Sequence, residues 1–200
     1  GADVEVMTKN ASAWIDGTVT VEDDVVVEAV SAEKMVSVAR NLGIGGSAGI
    51  SGAAGVYVVT TNTNATITGA STITADGDVM VAARGDFDMV DVAGQISIGG
   101  SAGVGISALV LVHTDHVEAV VEGGATITAL GTGTGLQAVT GERDGDWIEA
   151  ATNGVIVTAV SHENIVGTAV GGSGGGSAGV AGSGTVNVLV EKTRAEIGDG

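Results

Sequence analysis

No cysteine and no proline occur among the 200 residues, and only four are aromatic: Trp14, Tyr57, Phe87 and Trp147. Without cysteine there is neither a disulfide framework nor thiol chemistry. That does not argue against secretion, because a stacked β array gains its stability from neighbouring units instead. With so few aromatics, a round core lacks its usual bulk. Basic residues are also scarce, seven against 24 acidic ones, for a formal charge of −17. Nucleic-acid binding requires clustered cations to displace counterions from phosphates. Attachment to a membrane surface through a polybasic patch requires the same. Neither partner is expected, and no apolar run reaches the ~18 residues of a membrane span.

What the chain does have is glycine, 35 residues of it, with Val, Ala and Ile. Small and β-branched residues suit thin, layered β structure. GGSAG occurs at 45–49, 99–103 and 175–179, and an alanine follows twenty residues after the first glycine each time: Ala65, Ala119 and Ala195. Around these alanines, VYVVTTNTNATIT (56–68) matches VLVHTDHVEAVVE (110–122) and VNVLVEKTRAEIG (186–198). VEVMTKNASAWID (4–16) matches too, which adds Ala13 as a fourth anchor and makes the spacings 52, 54 and 76.

Further blocks keep the same order. GTVTV (17–21), STITA (71–75) and ATITA (125–129) follow the alanines, and MVSVARNLGIGG (35–46), MVDVAGQISIGG (89–100) and IVGTAVGGSGGG (165–176) lead into GGSAG. Repeats of this length mark a solenoid. The expected fold is all-β, a parallel β-helix without substantial helix, forming one segment over residues 1–200. The long third unit has about 22 additional residues, at 131–152, with strand-like content at Leu136–Val139 and Trp147–Ala150. They are expected to form one extra coil, since a solenoid accepts a whole turn without disturbing the stack. Each repeat would then hold two long coils or three short ones. Val, Ile and Ala are expected to fill the interior, with glycine where layers approach closely. Asp16-Gly17, Asp23-Asp24, Asp76-Gly77 and Asn153-Gly154 mark turns. The chain opens and closes in mid-repeat, as expected of a piece of a longer array.

Several residue groups are candidates for chemistry. Asp76 and Asp78, and Asp144 and Asp146, bracket glycines and are the best-shaped calcium ligands. Ca²⁺ requires six to eight oxygens, and the nonapeptide of calcium β-rolls is absent, so solvated turn carboxylates are the plainer reading. Arg84, Gly85 and Asp86 spell an RGD tripeptide, read as a loop that offers a cation and a carboxylate to an adhesion receptor. The plainer reading is a solvated turn, because the first repeat has Ser31, Ala32 and Glu33 there. His113 and His116 point to opposite sides of a strand and lack a third ligand, so they and His162 read as exposed turn histidines. The Thr-x-Thr pairs Thr18/Thr20, Thr66/Thr68, Thr72/Thr74 and Thr126/Thr128 place two hydroxyls on one face. A flat ladder of such pairs would organise water and bind ice. Most of them recur once per repeat rather than once per coil, so no continuous ladder is expected. No nucleophile elbow occurs, and carboxylates spread over the repeats do not converge as a glycan-cleaving pair must.

The stretch GIGGSAGISGAAGVYVVTTNTNATITGASTITADGDVMVAA (43–83) resembles the repeats of very large bacterial filamentous adhesins, the leukotoxin-type and haemagglutinin-like proteins that pass through the outer membrane. The shared signature is GGxAGxxxxxxVxV, a Thr or Asn turn, AxI, and a short strand near a DG turn. It covers nearly the whole chain in four copies. The resemblance implies a right-handed parallel β-helix displayed extracellularly at the bacterial cell surface. It also implies a role as an adhesive or spacing stalk that meets a host-cell receptor, a glycan or other filaments. It carries over no catalytic residue and no obligatory cofactor, so a non-enzymatic stalk is expected. A polysaccharide-acting β-helix enzyme and a calcium-stiffened or ice-binding extender are the competing readings.

Overall fold

The structure, a computed structural model, describes residues 1–143 and 145–199. Strands follow one another without helix among the described residues: β1 Ala2–Ile15, β2 Thr18–Val21, β3 Val25–Gly45, β4 Ala48–Ile67, β5 Thr72–Ala75, β6 Val79–Gly99, β7 Ala102–Val121, β8 Thr126–Ala129, β9 Leu136–Arg143, β10 Asp146–Thr152, β11 Val155–Gly175 and β12 Ala178–Ile197. Ten of them stack as three parallel sheets, in the orders β1-β4-β7-β12, β2-β5-β8 and β3-β6-β11. We call these the A face, the base and the C face. The chain is an all-β parallel β-helix.

The register is continuous, residue for residue. Ala13 lies beside Ala65, Ala65 beside Ala119, and Ala119 beside Ala195. Val25 pairs with Val79, and Ile73 pairs with both Val19 and Ile127. Val56 pairs directly with Val110, so the whole repeat between them is one coil, not two or three. One coil has a 20-residue side, a 4-residue side and a 21-residue side. The step from Ala13 to Ala65 is shorter than the next because the turn between β1 and β2 is two residues shorter than that between β4 and β5.

Residues 131–152 do not form the expected extra coil. β9 and β10 pair with each other, antiparallel, as a hairpin with an irregularity between Ile148 and Glu149. The insertion is less than half of a coil this long and cannot travel around it. The hairpin instead folds onto the C face, where Leu136 and Ala138 cover Met80, Ala82 and Ile156. Arg84 reaches Glu149 at 3.1 Å and His162 Nδ1 reaches Glu142 at 3.1 Å.

The cross-section of the coil is a thin wedge. At the base, β2, β5 and β8 hold the long faces apart. Val25, Ile67, Ile73, Val79, Val117 and their aliphatic neighbours fill that space. At the opposite end the chain reverses through GGSAG and the two faces converge. A Cβ on Gly43 would run into the Ile50 carbonyl, and one on Gly45 or Gly99 into the carbonyl of Ala48 or Ala102. This narrowing reverses the expected placement of side chains. Near the tip the inward positions are Gly49, Ser51, Ala53, Gly55, Gln95 and Ser97, all buried, while Ile50, Ile96 and Ile98 face outward. β-Branched side chains do not fit between converging backbones, so they occupy the only side with room.

Candidate functional site

Midway between tip and base, the inward positions turn polar. Lys9, Thr61, Asp115 and Glu191 share one column of the A face, with Ser31, Gly85 and Ser161 in one column of the C face and Glu33, Phe87 and Glu163 in the next. Strand alternation puts every second residue inside, so any polar residue at such a position must find a partner there. Thr61 Oγ1 donates to Asp115 Oδ1, and Ser161 Oγ donates to Asp115 Oδ2 at 2.6 Å. Ser31 and Thr63 join their hydroxyls at 2.7 Å. Gly85 has no side chain because a Cβ would press on Val117 and approach Asp115.

The seam perturbs its titratable groups. Burial, then the hydrogen-bonded Glu191 carboxyl and the charge of Asp115, push the Glu163 carboxyl up to about 8. Burial also raises Glu33, against the opposing charge of Lys9, whose Nζ lies 3.9 Å away. Burial lowers His113, which stacks on Phe87 with ring centroids 4.0 Å apart. His113, Asp115 and Ser161 all face this interior, but they do not form a nucleophilic relay. The serine donates directly to the aspartate, and the imidazole Nε2 meets Thr61 Oγ1 at 3.5 Å. The arrangement ties coils to one another.

A second polar group lies nearer the tip. Tyr57 donates to Asp3 Oδ2 at 2.9 Å and meets Ser37, and burial pushes its hydroxyl up to about 12. Ser37 and Tyr57 hold Asp3 below the usual carboxylate range, whereas burial raises Asp91. Closer still to the tip, Ser51 donates to Gln95 Oε1 at 2.6 Å. The Gln95 side chain fits because Gly105 across the wedge and Gly171 in the next coil lack a Cβ.

The residues singled out in the sequence fall elsewhere. Asp78 is buried and its Oδ1 accepts the backbone N–H of Gly154 at 2.5 Å, while Asp24 Oδ1 accepts that of Asp78 at 2.7 Å. Asp76 stands in the turn after β5, Asp146 opens β10, and Asp144 lies outside the described residues. Among the described residues no three His, Asp or Glu gather as a metal-binding group. Arg84, Gly85 and Asp86 do not form a loop. They lie inside β6, with Gly85 turned inward and Arg84 held by Glu149, so the tripeptide is not presented as a protruding tip. His113 is likewise a buried strand residue rather than an exposed turn residue. Its parity is readable: six residues before Ala119, it shares that alanine's inward side.

Three of the four Thr-x-Thr pairs do form a ladder, and Thr66/Thr68 stays outside it, Thr66 lying beside Trp14 and Val120. Thr18, Thr72 and Thr126 are in register on the base, as are Thr20, Thr74 and Thr128. Because one repeat is one coil, a pair on each repeat is a pair on every coil. Their alternates Val19, Ile73 and Ile127 point into the core, so the hydroxyls point to solvent.

Compared with known proteins, the chain matches no family model, no curated sequence and no solved structure.

Proposed function

We propose that this chain is a stalk segment of a secreted, surface-displayed bacterial filament, a non-enzymatic spacer that holds adhesive elements away from the cell. The observation that carries this reading is the unbroken register: every long strand hydrogen-bonds along its length to its counterpart in the next coil. Such a stack resists bending because each unit rests on the whole length of its neighbour. The interior polar groups serve the stack, and among the described residues they open no groove in which a substrate meets paired carboxylates. At ~4.8 Å of rise per coil and ~66 Å of strand along each long side, the stalk is a stiff ribbon, broad relative to its rise. Small-angle scattering tests this directly. A flat cross-section with ~4.8 Å of added length for each engineered copy of residues 48–101 is the expected result. A compact, isotropic particle would overturn it.

A second reading, an extender whose base binds ice or ordered water, is favoured by the threonine ladder. Two columns of hydroxyls on three successive rungs form a flat grid of ~4.8 by ~6.6 Å. Thermal hysteresis and uptake into growing ice separate this reading from a plain stalk.

A further inference from the structure

The two outer faces of the wedge change character at the same depth. On the C face the columns Lys34/Asp88/Asn164 and Val36/Val90/Val166 adjoin, and from there to the tip the outward side chains are almost wholly apolar. On the A face the step falls between Thr60/Thr114 and Val58/Val112. Within the tip arms 2–6, 36–58, 90–112 and 166–190, only Asp3, Glu5, Arg40 and Asp91 are charged, and of these only Arg40 stands on an outward position. Ile50, Ile44 and Ile106 are 77, 73 and 64 % exposed. Nearly all of the charge therefore lies toward the broad base. The tip turn adds no free backbone between coils: Gly100, Ser101 and Ala102 donate to the preceding turn, and Gly176, Ser177 and Ala178 to theirs.

The faces also differ in relief. On the A face, Ile106 stands between Gly52 below and Gly182 above, a lone ridge in its column. On the C face, Gly94 lies between Arg40 and Val170, with open space above its Cα. It floors a groove of about 440 Å³ with Leu42, Gln95 and Ile96. Ile106 stands six residues beyond the tip glycine Gly100, and Gly94 stands six before it. Knob and groove are thus at equal depth on opposite faces.

We propose that the tip half is a self-association surface, in which the A face of one copy packs on the C face of a second copy with Ile106 seated over Gly94. A contact of about ten residues by three strands covers ~480 Å² per copy, ~950 Å² for the pair. That is close to the ~1,000 Å² of a specific protein contact. Each copy has one face of each kind, so the contact is heterologous and repeats. Because the blades taper toward the apolar end, successive copies fan around their tips. The acidic bases are left in water and apart. Screening by salt weakens repulsion between the bases, so assembly strengthens as salt is added. The proposal does not depend on the stalk reading, because it rests on the outward side chains of the tip half alone.

Sedimentation velocity of the whole chain, with far-UV circular dichroism as the folding control, tests it. Wild type is expected to form oligomers that grow with concentration and salt. Ile106→Asp and Gly94→Glu, both on outward positions, each weaken association by at least about tenfold with the β spectrum kept. Thr193→Pro, on strand β12 outside the tip arms, is the comparison for strand-edge pairing and leaves the oligomers in place. Three results overturn the proposal. One is a monomer at every concentration. Another is assembly abolished by the β12 variant and unaffected by the face variants, which makes it end-to-end. The third is flotation of monomers with phosphatidylcholine vesicles, lost in Ile106→Asp, which gives the apolar faces to lipid.

Discussion

The carboxylate of Asp24 accepts the backbone N–H of Asp78 at 2.7 Å, and that of Asp78 accepts the N–H of Gly154 at 2.5 Å. Each aspartate therefore fastens the turn of the coil that follows it. The third position of this ladder is Gly154, whose φ of +93° suits glycine and which has no carboxylate to pass the bond on. Removing the Asp78 carboxylate leaves the Gly154 amide without its acceptor, a loss of about 1–3 kcal/mol. Asp78→Ala should lower the urea midpoint accordingly, and Asp78→Asn, whose amide oxygen still accepts, should recover most of it. The same commitment of Asp78 to backbone predicts that chelator leaves the melting temperature unchanged. A sharp fall in chelator would instead make the turn aspartates calcium ligands.

Glu163 governs a second dependence. Its carboxyl is raised from the ordinary value of 4.5 to about 8, so the folded chain holds a proton there that the unfolded chain releases earlier. Stability from this group is complete below about pH 4.5 and is lost as pH rises through about 8. Glu33 and Asp91, also raised by burial, act in the same sense. His113 opposes them: burial lowers it, so its contribution is lost as pH falls through and below the ordinary imidazole range. Glu163→Gln, which keeps the shape and removes the titration, should flatten the decline in urea midpoint between pH 5 and 8. A decline of unchanged slope would place its origin in other groups.

Glycine at the tip separates two kinds of position. A Cβ on Gly99 meets the carbonyl of Ala102, which belongs to backbone and cannot swing aside, whereas one on Gly174 meets nothing. Gly99→Ala should therefore destabilise by about 1–3 kcal/mol. Gly174→Ala should be neutral or stabilise by up to about 1 kcal/mol through the unfolded chain. Chemical denaturation of the pair measures the difference, and equal effects would show that the faces do not converge there.

These tip residues also show which parts of the fold a sequence reader can recover. Ala13, Ala65, Ala119 and Ala195 align in the sequence and stack in the structure, because repeats with the same inward and outward pattern bury it together only in register. Coil length is a different matter: repetition reports the period and not the number of turns within it. Strands in globular proteins are usually short, roughly 3–10 positions. Shorter coils are therefore the natural expectation, and by that measure the insertion at 131–152 is long enough for one. The long faces β4 and β6 are about twice that usual length, and the same insertion folds as a hairpin. The inside-out tip follows from the same gap. Ile44 and Ile50 read as core until the distance between facing backbones is known, and only the glycines at 43, 45 and 49 signal how small it is. The polar seam is legible in principle, since Thr61, His113 and Asp115 share the parity of the anchoring alanines.

The base offers the last test. Thr74 stands in the middle of its column, between Thr20 and Thr128, with its neighbours Ile73 and Ala75 buried beneath. Thr and Val have similar shape and strand preference, so Thr74→Val removes a hydroxyl from the grid and leaves the coil intact. If the ladder binds ice or ordered water, wild type should slow ice growth at high concentration. The single change should then cost most of that activity, because it interrupts the rung flanked on both sides. The thermal melt should move by no more than about 0.5 kcal/mol in equivalent stability, as for other surface substitutions. Crystal growth watched in a nanolitre osmometer reads the first quantity and circular dichroism the second. Wild type with no thermal hysteresis would leave the threonines as good strand formers on the outside of a stalk.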